Sequence, residues 1–190
     1  MKARIGFVDT TGKKGKDFGW DAITFFQGNP IVHVFLVFDL GLNDVVYETT
    51  STTYHKMWLG TRLAGCNIHL FDLPGDGTKA HAYCESILGT VYDYPGITGL
   101  GAMMLGERII NWIMWPYKKL TGIKKEFHVI FVGNPLHVKS ALYCAEATTI
   151  AIRKMGEDIL PKWWKPESTT APQMFKYAQD MGWNWEYIAG

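Results

Sequence analysis

Three side chains in this sequence have the chemistry of an acyl-transfer site: a thiol at Cys144, an imidazole at His33 and a carboxylate at Glu48. Cys144 opens the run Cys144-Ala145-Glu146-Ala147-Thr148-Thr149-Ile150-Ala151-Ile152-Arg153, which reads as the start of a helix. In a helix's first turn, unpaired backbone N–H groups and the positive end of the macrodipole favour thiolate over thiol. The thiolate is the attacking form, so this setting makes Cys144 the candidate nucleophile. The competing reading is a small apolar residue on a buried helix face, where free cysteines commonly sit.

His33 lies in Ile31-Val32-His33-Val34-Phe35-Leu36-Val37-Phe38, a strand apolar on both faces. Burying an imidazole there costs free energy unless its nitrogens find partners. The next strand, Val45-Val46-Tyr47-Glu48-Thr49-Thr50, carries a carboxylate in an equally apolar setting, and the connection Asp39-Leu40-Gly41-Leu42-Asn43-Asp44 has the residues of a hairpin loop. Pairing Phe38 with Asn43 sets His33 directly opposite Glu48, close enough for the carboxylate to hold a ring N–H. A slip of one residue would send the two to opposite faces. A core histidine satisfied by a neighbouring glutamate is the alternative. A Cys–His pair with a third polar group is the general design of thiol nucleophiles: the imidazole stabilises the thiolate and later protonates the leaving group, while the third residue fixes the ring. The chain order here is His, Glu, Cys, whereas papain-type enzymes run Cys first and His later, so a relation to that fold requires a circular permutation.

These residues need elements to carry them. Strands are expected over residues 4–9, 31–38, 45–50, 67–73 and 128–132, each rich in β-branched or aromatic residues and bounded by turn formers. Helices are expected over 78–88, ending at Gly89, over 140–155 with Ser140 as N-cap, and over 172–181 with Pro172 in the first turn. The first of these places Cys84 in the core. Strands and helices without regular βαβ alternation point to an α+β domain with a mainly antiparallel sheet packed on helices.

Composition narrows the function. With 47% hydrophobic residues, 190 residues fit one domain spanning 1–190 with a substantial core. Basic and acidic residues number 19 and 18, so the footprint that nucleic-acid binding needs is missing. Three cysteines without a Cys-x-x-Cys spacing indicate free thiols in a reducing compartment. The histidines at 55, 69, 81, 128 and 137 lack metal-binding spacing, so ordinary surface or core roles suffice for them and no cofactor is required. The run Gly12-Lys13-Lys14-Gly15-Lys16 lacks phosphate-loop spacing and reads as a solvated turn. No signal peptide or transmembrane segment is read, which gives a cytoplasmic expectation. The apolar region 97–115 is interrupted by Glu107, Arg108 and Asn111. Its aromatic and basic end has an interfacial flavour that allows peripheral membrane contact, but a core or substrate-groove helix is the primary expectation. Paired aromatics such as Trp163-Trp164, and Trp183 with Trp185, serve either a contact surface or the core.

The chain resembles the permuted branch of the NlpC-type papain-like superfamily, the YiiX-like proteins related to the lecithin retinol acyltransferases. The resemblance rests on four stretches in the family's order: Val32-His33-Val34-Phe35-Leu36-Val37, Val46-Tyr47-Glu48-Thr49-Thr50, Leu88-Gly89-Thr90-Val91-Tyr92-Asp93-Tyr94 and Tyr143-Cys144-Ala145-Glu146. It covers residues 28–156, with Pro172 matching a Thr-Pro segment of the family. Two positions depart: Val32 stands before the histidine where the family usually has Ser or Thr, and Ala145 follows the cysteine where it usually has Ser. The resemblance implies a circularly permuted papain-like (NlpC-type) fold with Cys144 as nucleophile, His33 as base and Glu48 as orienter. It implies that Tyr92, Asp93 and Tyr143 line a substrate groove, with Glu146 structural or groove-lining. The function so implied is hydrolysis of an amide, a cell-wall peptide bond first, through an acyl-enzyme. The alternatives are lipid acyl hydrolysis or transfer on the same fold, and a non-catalytic binding protein that kept it.

Overall fold

The structure is a computed structural model that describes residues 1–11, 29–41, 43–49, 52–63, 67–121, 136, 138 and 140–189. The β-branched and aromatic runs become strands β1 (Ala3–Asp9), β2 (Ile31–Asp39), β3 (Asp44–Thr49) and β5 (Asn67–Asp72), joined by β4 (Tyr54–Trp58) and β6 (Trp185–Ile188). They form one antiparallel sheet in the order β4-β3-β2-β1-β5-β6. The sequence pattern does not announce β4 and β6, because both are edge strands with largely solvated side chains. The expected strand at 128–132 and the expected turn at Gly12–Lys16 lie outside the described residues, as do Cys66, His128 and His137.

The helices are α1 (Leu59–Leu63), α2 (Thr78–Ser86), α3 (Tyr94–Ile113), α4 (Trp115–Thr121), α5 (Cys144–Met155) and α6 (Ala171–Asp180), with a 3-10 turn at Pro166–Ser168. One apolar cluster lies between the sheet and α2, α5 and α6, and includes Phe7, Leu36, Tyr47, Phe71, Ala80, Cys84, Ile152 and Met174. A second, smaller cluster gathers Phe35, Val37, Val46 and Leu70 with Leu59 of α1. Helix α5 is central because its inward residues are small: Ala145, Ala147 and Ala151 are all buried, which lets its backbone approach β2 and β3 closely.

Two boundaries and the burial of one helix differ from expectation. Helix α5 starts at Cys144 rather than Ser140, with Tyr143 in extended conformation as its N-cap residue. The expected Ser140 cap gives way because the preceding residues are used in bridges: Leu142 pairs in parallel with Tyr92. Helix α6 is capped by Thr170, whose hydroxyl accepts from the Gln173 N–H at 3.2 Å. Helix α3 was expected in the core or a groove, but only its inner part meets that description. Ile97 packs on the main cluster, while Ile109, Trp112 and Ile113 are exposed. A helix of 20 residues is about 30 Å long, and its outer turns outrun the core it starts from.

Candidate active site

The β2–β3 hairpin differs from the expected register by two residues. Asp39 pairs with Asp44, Phe38 with Val45 and Leu36 with Tyr47. Gly41 adopts a positive φ of 91° in the loop, and the Asp39 carboxylate accepts from the Gly41 N–H at 2.8 Å, so the turn centres one residue later than the apolar pattern alone implies. Extending the ladder sets Glu48 across from Phe35, and His33 becomes its diagonal neighbour. A shift of two keeps every side chain on its face, and a diagonal neighbour is within reach of a long side chain. The pair therefore meets: His33 Nε2 donates to Glu48 Oε2 at 2.7 Å.

His33 also stands beside a β-bulge. Val8 pairs with His33 but Asp9 pairs with Ile31, which leaves Val32 as the extra residue. Bulges bend a strand and re-aim its side chains, and they recur next to functional groups. With Nε2 given to Glu48, Nδ1 is the ring nitrogen left for the neighbouring Cys144 sulfur, whose charge acts on the ring. Cys144 is the first residue of α5, where the Val34 and Ala145 backbone N–H groups favour the charged form of its sulfur.

The electrostatics follow from this packing. Burial opposes charge on all three groups, and pairing overcomes it. The Cys144 thiol, 6% exposed, is pushed up by desolvation but brought below the ordinary thiol value by the His33 charge, the His33 hydrogen bond and two backbone N–H donors. His33 is lowered by burial but raised overall to about 9 by Cys144 first and Glu48 second. Glu48, 2% exposed, is raised by burial yet held at about 2 by His33 and then by Arg62 and His55. The directions of these shifts favour a thiolate–imidazolium pair with an ionised glutamate behind it.

Arg62 and His55 are partners that sequence reasoning did not find. Arg62, in the last turn of α1, donates from Nε to Glu48 Oε2 at 3.0 Å, with its guanidinium 5.6 Å from the Phe35 ring centroid. That ring lies flat against Gly6, where a Cβ would stand 2.2 Å from it, so a glycine on β1 makes room for the aromatic platform under Arg62. His55 Nε2 lies 3.7 Å from Glu48 Oε1, because His55 is opposite Glu48 in the β3–β4 ladder. A hairpin reading of β3 and β4 would have signalled His55. Nothing in the local sequence around Arg62 singles it out.

The expected groove residues are distributed differently. Tyr92 is partly buried, and burial followed by the nearby Cys144 charge raises its phenol above the ordinary value. Asp93 is fully buried, and its carboxylate accepts from Gly96 N–H at 2.8 Å and Val138 N–H at 3.1 Å. Its own N–H donates to Leu142 O at 3.1 Å, so Asp93 ties the base of α3 to the strand entering α5. The Tyr143 hydroxyl donates to Pro166 O at 3.1 Å and Thr169 O at 3.2 Å, which pins the residue before Cys144 to the 3-10 turn. Glu146 is buried in the first turn of α5. A cleft of about 420 Å³ lies at the same end of the sheet, walled by Asp9, Ile31, His69, Pro172 and Phe175, and His69 Nε2 donates to Asp9 Oδ2 at 3.2 Å. Cys144, His33 and Glu48 are not among its lining residues. Among the described residues no group of three or more His, Cys, Asp or Glu is arranged to hold a metal ion.

Cys84 is the internal control for Cys144. It is fully buried on α2, and burial pushes its thiol up to about 12. Iodoacetamide at neutral pH should therefore modify Cys144 and spare Cys84. Peptide mapping after timed alkylation checks this, and faster modification of Cys84 would remove Cys144 as the activated thiol.

No protein-family model matches the chain, and no curated protein matches it in sequence.

Proposed function

We propose that the protein is a thiol hydrolase of the circularly permuted papain-like (NlpC-type) kind, cleaving an amide bond by an acyl-enzyme route. The observation that carries the reading is the continuous chain from the Cys144 sulfur through the His33 ring to the Glu48 carboxylate, at the first residue of a buried helix. The thiolate attacks the carbonyl carbon and the carbonyl π electrons move to oxygen. Backbone N–H groups at the start of α5 are the donors available to that oxyanion. The imidazolium gives its proton to the leaving nitrogen as the C–N bond breaks, leaving a thioester and a neutral ring. A water then attacks the thioester, gives its proton to His33, and the acid departs with the thiolate–imidazolium pair restored. Glu48 holds the ring throughout, and Arg62 holds Glu48.

A cell-wall peptide or related amide is the first substrate class. A lipid acyl ester is the second reading, and the exposed apolar outer half of α3 favours it. A thiol-directed electrophile such as an epoxide, which the thiolate opens to form a thioether, tests the reaction class: folded protein should gain one adduct, mapped to Cys144, and should turn over members of a panel of muropeptides, acyl amides and lipid esters. Folded protein that neither takes the adduct nor turns over any of them is a binding module instead.

A further inference from the structure

The outer part of α3 and the short helix α4 present an apolar surface that the thiol chemistry does not use. Leu105, Ile109, Trp112 and Ile113 are exposed, and their i, i+4, i+7, i+8 spacing puts them on one helical face. Tyr117 and Leu120 of α4 extend the exposed apolar set, with Trp112 at 77% and Leu120 at 87% exposure. Isolated exposed apolar residues are ordinary, but a set of this size in one helical arm marks a contact surface.

The chemistry at its end says what covers it. Residues 111–125 hold four lysines and no acidic residue. Lys119 Nζ lies 5.2 Å from the Trp115 ring centroid. Tryptophan and tyrosine rings settle at the headgroup level of a bilayer, and neighbouring ammonium groups meet lipid phosphates there. No helix among the described residues is long and apolar enough to cross a membrane, which fits an arm lying in the interface.

We propose that the α3–α4 arm seats this protein on an anionic lipid surface, with Trp112, Ile113 and Trp115 entering the headgroup–acyl boundary and Lys119 on the phosphates. The reading goes beyond the hydrolase assignment and does not rest on it. It does place that site in a setting: α3 springs from Asp93, which is bonded to Leu142 two residues before the nucleophile. The base of the arm is thus tied to the chain that enters the site.

Flotation with vesicles of phosphatidylcholine alone, and of phosphatidylcholine mixed with phosphatidylglycerol, tests it on the whole protein. Wild type should float with the mixed vesicles and much less with the neutral ones. Combined Trp112→Ser and Trp115→Ser should lower vesicle affinity roughly a hundredfold, since two large apolar side chains lose their burial. Lys119→Glu should lower affinity for the anionic vesicles roughly tenfold and leave the neutral ones unaffected. All three substitutions fall on exposed side chains, so thermal melting and the reaction of Cys144 with iodoacetamide in solution should match wild type. Folded wild type that fails to float with either vesicle overturns the proposal. So does a tryptophan variant that floats as wild type does. Sedimentation showing a wild-type dimer that the tryptophan variant loses would assign the surface to a second copy instead.

Discussion

Cys144→Ala is expected to abolish acyl turnover and probe labelling, with kcat/KM falling by roughly 10⁴ or more and thermal stability little changed. Removing a nucleophile costs nearly all of the transition-state stabilisation that the linked groups supply together, whereas Cys to Ala is a small change of volume at a buried position. The wild-type pH dependence adds a sharper reading of the same site. The thiol is ionised below its ordinary range, so iodoacetamide alkylation should stay fast well under the pH at which a free thiol slows. Above about 9 His33 loses its proton, yet the sulfur remains a thiolate. Alkylation should therefore persist through that pH while acyl turnover falls, because the leaving group then lacks its proton donor. Parallel rate profiles for iodoacetamide and for a substrate found in the panel check this. Turnover and alkylation falling together above pH 9 would show that His33 is not the acid.

Much of this arrangement was legible before the structure, for identifiable reasons. Strands β1, β2, β3 and β5 carry dense β-branched and aromatic runs, and those runs are the strands that bury both faces. The edge strands β4 and β6 carry weak patterns because one edge and much of one face meet water, so His55 went unplaced. The His33–Glu48 contact was reached with the wrong pairs and the right face. Side chains alternate with period two, so an error of two residues preserves the face while an error of one would not. Ser140 looks like an N-cap locally, which sets the expected start of α5 four residues early, and only the long-range bridge from Leu142 to Tyr92 shows that the chain is still extended there. Arg62 was invisible because its role depends on a flat aromatic ring stacked on Gly6 of a distant strand. Likewise, Asp93 and Tyr143 carry motif positions whose polar atoms are taken by backbone partners. Sequence marks the importance of such positions without saying that the role is to hold the chain in place.

Glu48→Gln isolates the carboxylate's charge from its shape, and it should slow turnover by roughly 10² to 10³, less than loss of the nucleophile. The amide keeps the side chain in the pocket but offers one acceptor where His33 and Arg62 now share an ionised oxygen. His33 then loses the anion that helps hold its proton, and the thiolate–imidazolium pair weakens. Substitution by alanine would be a poorer test, since it strands a buried guanidinium and a buried imidazolium at a cost of about 3–5 kcal/mol. Stability against pH gives a second, independent readout. The Glu48 carboxyl is held at about 2 against an ordinary 4.5, so its contribution is fully present above pH 4.5 and is lost as pH falls through about 2. The shift corresponds to roughly 3 kcal/mol. Urea unfolding of wild type and Glu48→Gln at successive pH values should show a stability gap that is level between pH 4.5 and about 6, below the range where His33 titrates, and that closes on acidification, because only the wild type must take up a proton there. A gap that stays constant down to pH 2 would mean that folding does not lower the Glu48 carboxyl, and the pairing with His33 and Arg62 on which its orienting role rests would fall with that result.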